Sequence, residues 1–258
     1  MLQNALSHYP LYLLVLLRVV AFIAVSPVFS IKAWPTWAKL GIAAFVAVYT
    51  MPEVHGTVPD PFSDPGNYIV AALRETVVGM LLGFIGTMVF TALSFTGHIV
   101  DLQIGFSSAV LFDPEGGHST GLTSSFLSIL FTLYFLGLNG LDGLLLAIMH
   151  SYHTIPVNAW TIPASIGAFL SHLLTTVMIM GIQVGAPLWV ALLLTDVTFA
   201  LLSRAVPQMN VFVVGQPAKL LVGLSVFAAV IPGIVYLFGS LFQMVFQQLD
   251  LVEHWLGG

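Results

Sequence analysis

The run from Leu220 to Phe246 contains no charged residue, and the tract from Ile166 to Leu202 contains one, Asp196. Runs of this kind restrict the fold more than any motif does. A helix of roughly 20 apolar residues crosses a bilayer, and in lipid only helices and closed barrels satisfy the backbone. The runs are too long and too continuous for the ~10-residue alternating strands of a barrel. The expected fold is therefore all-α, with about five to seven spans at roughly 20 residues each. Composition agrees. Charged residues make up 7% of the 258-residue chain, against about 25% in a soluble domain. Such a chain is solvated by lipid or by a large protein assembly.

The net charge of −5 excludes a polybasic surface for anionic lipid or nucleic acid. There is no cysteine, so disulfide and thiol chemistry are excluded. The first run lacks the basic n-region and the small-residue cleavage site of a signal peptide, and is expected to stay as a helix.

In chain order, Tyr9–Ser30 carries Arg18 near its middle and Pro27 near its end. A charge at that depth must pair or face protein. Arg74 lies near the start of the next long run, Tyr68–Thr96, beside Glu75, and is a second candidate buried charge. Lys32, Trp34, Trp37 and Lys39 form an interfacial group of rings and cations. Leu40–Met51 is short for a span. Gly79, Gly83 and Gly86 put small residues on one helical face, which lets another helix approach closely. Gly137, Gly140 and Gly143 suggest a second such face around a break at Asn139-Gly140. Ile166–Leu202, punctuated by Gln183, Gly185 and Pro187, reads as one long broken helix or as two. Pro232-Gly233 predicts a kink in the last run. The acidic tail with Asp250 and Glu253 lacks the basic face of a membrane-surface helix, and partner contact is expected there.

Catalytic signatures are weak. His150-x-x-His153 could place two imidazoles on one face, as metal ligands do, but no third ligand lies nearby in sequence. His98-x-x-Asp101 reads as a proton relay or as a polar cap between helices. Asp113 and His118 are neighbours without a nucleophile-elbow serine, and no glycine-rich phosphate motif is present. Neither an enzyme, a cofactor site nor a metal site is expected.

Two stretches remain. Gly105–Gly121, GFSSAVLFDPEGGHSTG, has an apolar half (Phe106, Val110, Leu111, Phe112) and a polar half with Asp113-Pro114 and Gly116-Gly117. The first pair starts a turn and the second gives backbone freedom. It reads as a loop that closes or lines a passage, or as an ordinary flexible loop. Ser203–Lys219, SRAVPQMNVFVVGQPAK, mixes breakers (Pro207, Gly215, Pro217) with hydrogen-bonding side chains (Gln208, Asn210) and two cations (Arg204, Lys219). That mixture suits a shaped, buried bend between two helices. The alternative is a short loop with snorkelling charges at its ends.

Residues 204–219, RAVPQMNVFVVGQPAK, resemble the signature of the FliR/SctT family of type III export-gate subunits. Arg18 and Pro27, Leu102–Gly105 with Phe112-Asp113-Pro114, and Leu138-Asn139-Gly140 with Ser151-Tyr152 and Ile155-Pro156 also match, from about residue 10 to 245. Leu141 and Asp142 depart from the family's histidines, and Gln216 departs from its aromatic.

The resemblance implies a non-enzymatic part of a protein-conducting gate in the bacterial inner membrane, at the flagellar basal body. It would pass unfolded flagellar substrates, with an injectisome subunit as the alternative. It implies partners FliP and FliQ, together with FlhB and FlhA, besides membrane lipid. It also implies a FliP-like part, 1–164, and a FliQ-like hairpin, 165–258. In such a gate Gly105–Gly121 would help to plug the channel. Arg204, Pro207, Gln208, Asn210, Gly215, Pro217 and Lys219 would shape the bend and contact neighbours. A competing reading from residue type alone is a small-solute secondary transporter, which broken helices with midplane charges would suit. No internal repeat supports it.

Overall fold

The computed structural model describes residues 2–29, 34–54, 56, 58–105, 121–160, 166–205 and 211–257. The chain is all-α. The helices are α1 (Leu2–Val25), α2 (Thr36–Thr50), α3 (Pro65–Ile104), α4 (Leu122–Gly137), α5 (Gly140–Thr154), α6 (Ile166–Ala205) and α7 (Val211–Gly257), with a 3-10 turn at Met51–Glu53.

Among the described residues, three helices are long and apolar enough to cross a membrane, or four if α4 and α5 count as one bent span. This is fewer than the five to seven expected, for two reasons. The Ile166–Leu202 tract is one helix and not two, with Pro187 inside it. The second run makes a helix of only 15 residues, about 22 Å long at 1.5 Å per residue, short of a roughly 30 Å hydrocarbon core. The long helices overshoot instead. At 40, 40 and 47 residues, α3, α6 and α7 have contour lengths of about 60–70 Å.

Helices also run through positions where breaks were expected. α3 continues past His98–Gln103 to Ile104. α7 starts at Val211, so Gly215, Pro217 and Lys219 lie in its first turns and not in the connection before it. An apolar setting favours helix even at proline, because open backbone groups find no water there. The expected break at Asn139-Gly140 is present. Asn139 adopts a left-handed conformation (φ 56°), which asparagine tolerates better than most residues, and α4 and α5 meet at a 71° bend.

The chain forms two compact units. The first comprises residues 1–89, 135–173 and 242–258. Leu14, Val15, Ala47, Ala71, Tyr152 and Val157 form a buried cluster in it. α1 lies against α3 through the expected glycine face. A β-carbon on Gly79 would strike the Arg18 carbonyl, and one on Gly83 would lie 2.7 Å from the Phe22 carbonyl oxygen. Thr87 donates its hydroxyl to the Val25 carbonyl, at the exposed end of the α1 ladder. Pro27, just beyond, packs on Gly86.

The second expected glycine face does not form. Gly137 ends α4 with nothing within 4 Å of a would-be β-carbon, whereas Gly143 abuts the Phe246 ring. The bend puts these residues on different helices. The acidic tail belongs to α7 and packs within this unit: Trp255 stacks on Phe169 at 4.9 Å, and Glu253 is buried.

The second unit comprises residues 90–134 and 174–241. Ring contacts tie Phe90 to Phe131 (4.7 Å) and Phe131 to Phe238 (5.1 Å). Thr96 on α3 donates its hydroxyl to the Gly181 carbonyl of α6 at 2.7 Å, across a contact that only a small residue permits.

Candidate functional site

The ends of the Gly105–Gly121 stretch are held at one residue, Asp101. In the last turn of α3, Asp101 is 2% exposed. Its Oδ1 accepts the Thr123 backbone N–H at 2.9 Å, and its Oδ2 accepts that of Ser124 at 3.2 Å. These are orphan donors of the first turn of α4, where a carboxylate satisfies them and complements the helix dipole. The ordinary N-cap residue lies beside its helix in sequence; this one comes from 22 residues upstream. Gly121 packs directly on the Asp101 carboxylate, with no room for a β-carbon. Gly105 donates its N–H to the Asp101 carbonyl at 3.1 Å. It has φ +97°, a backbone that L side chains rarely adopt, and so it turns the chain out of α3.

A seam of small residues supports this base. The Ser124 hydroxyl donates to the Ser94 carbonyl (3.0 Å), the Ser94 and Ser128 hydroxyls are bonded (2.9 Å), and Gly97 touches the Ser124 backbone. Gly105 and Gly121 therefore both lie against Asp101. Phe106, Val110, Leu111, Phe112, Asp113, Pro114, Gly116 and Gly117 themselves lie outside the described residues. So does His118.

Arg18 forms a second constellation, in the first unit. It is fully buried and ion-paired with Glu75, Nε to Oε2 at 2.6 Å. Its remaining donors cap the end of α5: Nη1 and Nη2 each reach the Ile155 carbonyl at 3.0 Å, and Nη1 also reaches the Ser151 carbonyl and hydroxyl at 3.3 Å. The guanidinium lies 4.2 Å from the centroid of the Tyr152 ring, a cation–π contact. Tyr152 in turn donates its hydroxyl to the Val15 carbonyl at 3.0 Å. The second Glu75 oxygen accepts the Asn158 N–H at 2.9 Å. Arg74 joins from the rim and donates to the Asn158 carbonyl (3.0 Å) and side-chain oxygen (3.1 Å). One fork of donors thus joins α1, α3 and the end of α5.

Of the two expected buried charges, Arg18 is buried and Arg74 is only half-buried. Sequence reasoning passed over Glu75 as the partner of Arg18. The signal available was the single acid in the apolar run Tyr68–Thr96.

The bend residues divide. Pro207, Gln208 and Asn210 lie outside the described residues, Arg204 is exposed at the end of α6, and Gly215 is buried. Lys219 pairs with Asp196 at 2.7 Å. Since the Asp196 side chain is 46% exposed, Lys219→Ala is expected to cost less than about 1 kcal/mol, read as an unchanged melting temperature of the solubilised protein. His150 bonds Glu253 (2.9 Å) and His153 bonds Glu53 (3.3 Å). Each imidazole thus has its own carboxylate, and no group of three or more His, Cys, Asp or Glu is arranged for a metal among the described residues.

Long apolar helices and a buried cation hub define an all-helical protein equipped to cross a membrane. The family described as bacterial export proteins, family 1, matches residues 9–245, and the chain belongs to it. It is 31% identical to the flagellar biosynthetic protein FliR of Bacillus subtilis over 86% of each chain. It is 30% identical to FliR of Escherichia coli over 97% of this chain and 96% of the relative. It is also 31% identical to the Yop proteins translocation protein T of Yersinia pestis, over 81% of this chain and 80% of that one.

Proposed function

We propose that this chain is a structural and gating subunit of the flagellar type III protein-export channel in the bacterial inner membrane. It assembles with FliP and FliQ, and with FlhB and FlhA, and passes unfolded flagellar proteins. Family membership supports the class. The observation that carries the reading further is the mismatch between helix length and burial. α7 has a contour of about 70 Å, yet only 11% of its most apolar window is buried within the chain. A helix twice the thickness of a bilayer core cannot be covered by lipid along its length. Most of the apolar surface of α7 is left to lipid and to neighbouring subunits, which suits a stacked assembly.

In this reading 1–164 is the FliP-like part and 165–258 the FliQ-like hairpin. Residues 106–120 seal the channel with Phe106, Val110, Leu111 and Phe112. Gly116 and Gly117 let them move aside, and a passage wide enough for an unfolded chain leaks ions unless something fills it. Residues 204–219 fix the bend and contact neighbours. The similarity to the Yop translocation protein favours, as the second reading, the equivalent subunit of an injectisome.

Deleting residues 114–118 in cells is expected to raise small-ion permeability while the complex still assembles. Normal permeability with flagellin export retained would remove the sealing role. Co-purification with FliP and FliQ, with the mass of the intact complex, tests the assembly. A chain that purifies alone and transports a small solute overturns the proposal.

A further inference from the structure

We propose that the groove between α5 and the end of α7 receives a lysine or arginine side chain of a neighbouring subunit, whose cation completes the bonding of Glu253. This rests on the assembly proposed above. The groove lies wholly within the first compact unit and has a volume of about 310 Å³. α5 lines it with Leu146 and His150, about one turn apart. α7 lines it with Phe246, Leu249, Asp250 and Glu253, which share one face at helical spacing. Leu249 and Glu253 form a buried floor, while Leu146, His150 and Asp250 stand exposed at the rim.

Glu253 is 3% exposed, and the His150 ring bonds only its Oε2, at 2.9 Å. Among the described residues no donor reaches Oε1. An ionised carboxylate has about four acceptor sites, and burying one with a single bond is costly. Asp250 adds a second negative charge, and its contact with His254 is long, 3.6 Å, and exposed. Neither Lys nor Arg lines the groove among the described residues. Both acids lie towards the C-terminal end of α7, where the helix dipole favours cations. Their placement therefore works against their own helix and suits a positive group from outside it.

Shape selects the occupant. The Phe246 ring against Gly143 marks one end of the groove, and the His150–Glu253 pair marks the other. Apolar surface thus grades into carboxylate along its length. A lysine or arginine has a hydrocarbon stem and a charged head in that same order. A lipid amine carries a phosphate beside it, which Asp250 and Glu253 repel. A bare divalent ion leaves Leu146, Phe246 and Leu249 uncovered.

The experiment uses the full chain, alone in detergent and in complex with FliP and FliQ. The chain has no cysteine, so Leu146→Cys places a single thiol at the rim. Its labelling by a maleimide is expected to slow several-fold in the complex relative to the chain alone. Asp250→Lys and Glu253→Gln should each lower recovery of the complex by about tenfold or more, and Asp250→Glu should retain it. Asp250→Lys, at an exposed position, should leave the melting temperature of the chain alone unchanged, so it decides the matter if Glu253→Gln is unstable. Equal labelling in both states leaves the groove empty and overturns the proposal while the assembly stands. Protection with undiminished recovery of both charge variants means a cover that is not cationic, and also overturns it. So does protection of the chain alone in phosphatidylethanolamine vesicles, which identifies lipid, or protection lost to EDTA, which identifies a divalent ion. If the unaltered chain does not co-purify with FliP and FliQ, the assembly reading fails first and the proposal with it.

Discussion

Glu75→Ala is expected to destabilise the protein by roughly 3–5 kcal/mol, the cost of leaving a fully buried cation without its counter-charge. Arg18 has 0% exposure, so water cannot replace the lost carboxylate. The same substitution also removes the carboxylate oxygen that accepts the Asn158 N–H at 2.9 Å. The measurement is the melting temperature and yield of the detergent-solubilised complex. A pair of apolar replacements, Arg18→Met with Glu75→Leu, separates charge from architecture. Removing both ions avoids the unpaired charge, and such exchanges are often neutral elsewhere. Here recovery should be only partial, because the Ile155 carbonyl loses the Arg18 donors that cap it, and an orphaned buried group costs about 1–3 kcal/mol. Full recovery would show that the hub contributes only a charge balance and no joint between α1, α3 and α5.

The second large effect belongs to the α1–α3 contact. Gly79→Val should push the two helices apart, since its first added carbon meets the backbone carbonyl of Arg18, which cannot rotate away. Overpacking of this kind costs about 1–3 kcal/mol and sometimes more, and here it also displaces the residue that organises the hub. Gly83→Val should follow, with its contact at 2.7 Å to the Phe22 oxygen, and Gly86→Ala should be milder, with the Pro27 ring at 3.2 Å. Gly137→Ala is the control. It meets nothing within 4 Å, so its effect should fall within about 0.5 kcal/mol. The order of melting temperatures across the four variants checks the geometry; equal losses at Gly79 and Gly137 would contradict it.

The sequence by itself determined the helical class, the depth of Arg18 and the Gly79–Gly83–Gly86 face. Each follows from local content. Uninterrupted apolar runs exclude other ways of satisfying the backbone, a charge inside such a run must find protein, and small residues spaced three or four apart share one helical face. The break at Asn139-Gly140 was legible for the same local reason.

Partners and extents were decided by the tertiary structure. Arg18 finds Glu75 across 57 positions and Ile155 across 137. Asp101 caps a helix that begins beyond the intervening segment. No periodicity encodes such pairings, because their free energy comes from excluding water at a junction that exists only once the helices have met. Proline and glycine misled for a related reason. Pro217 reads as a breaker on the scale of a helix in water, yet α7 runs through it, because opening the helix would expose backbone groups to surroundings that offer them nothing.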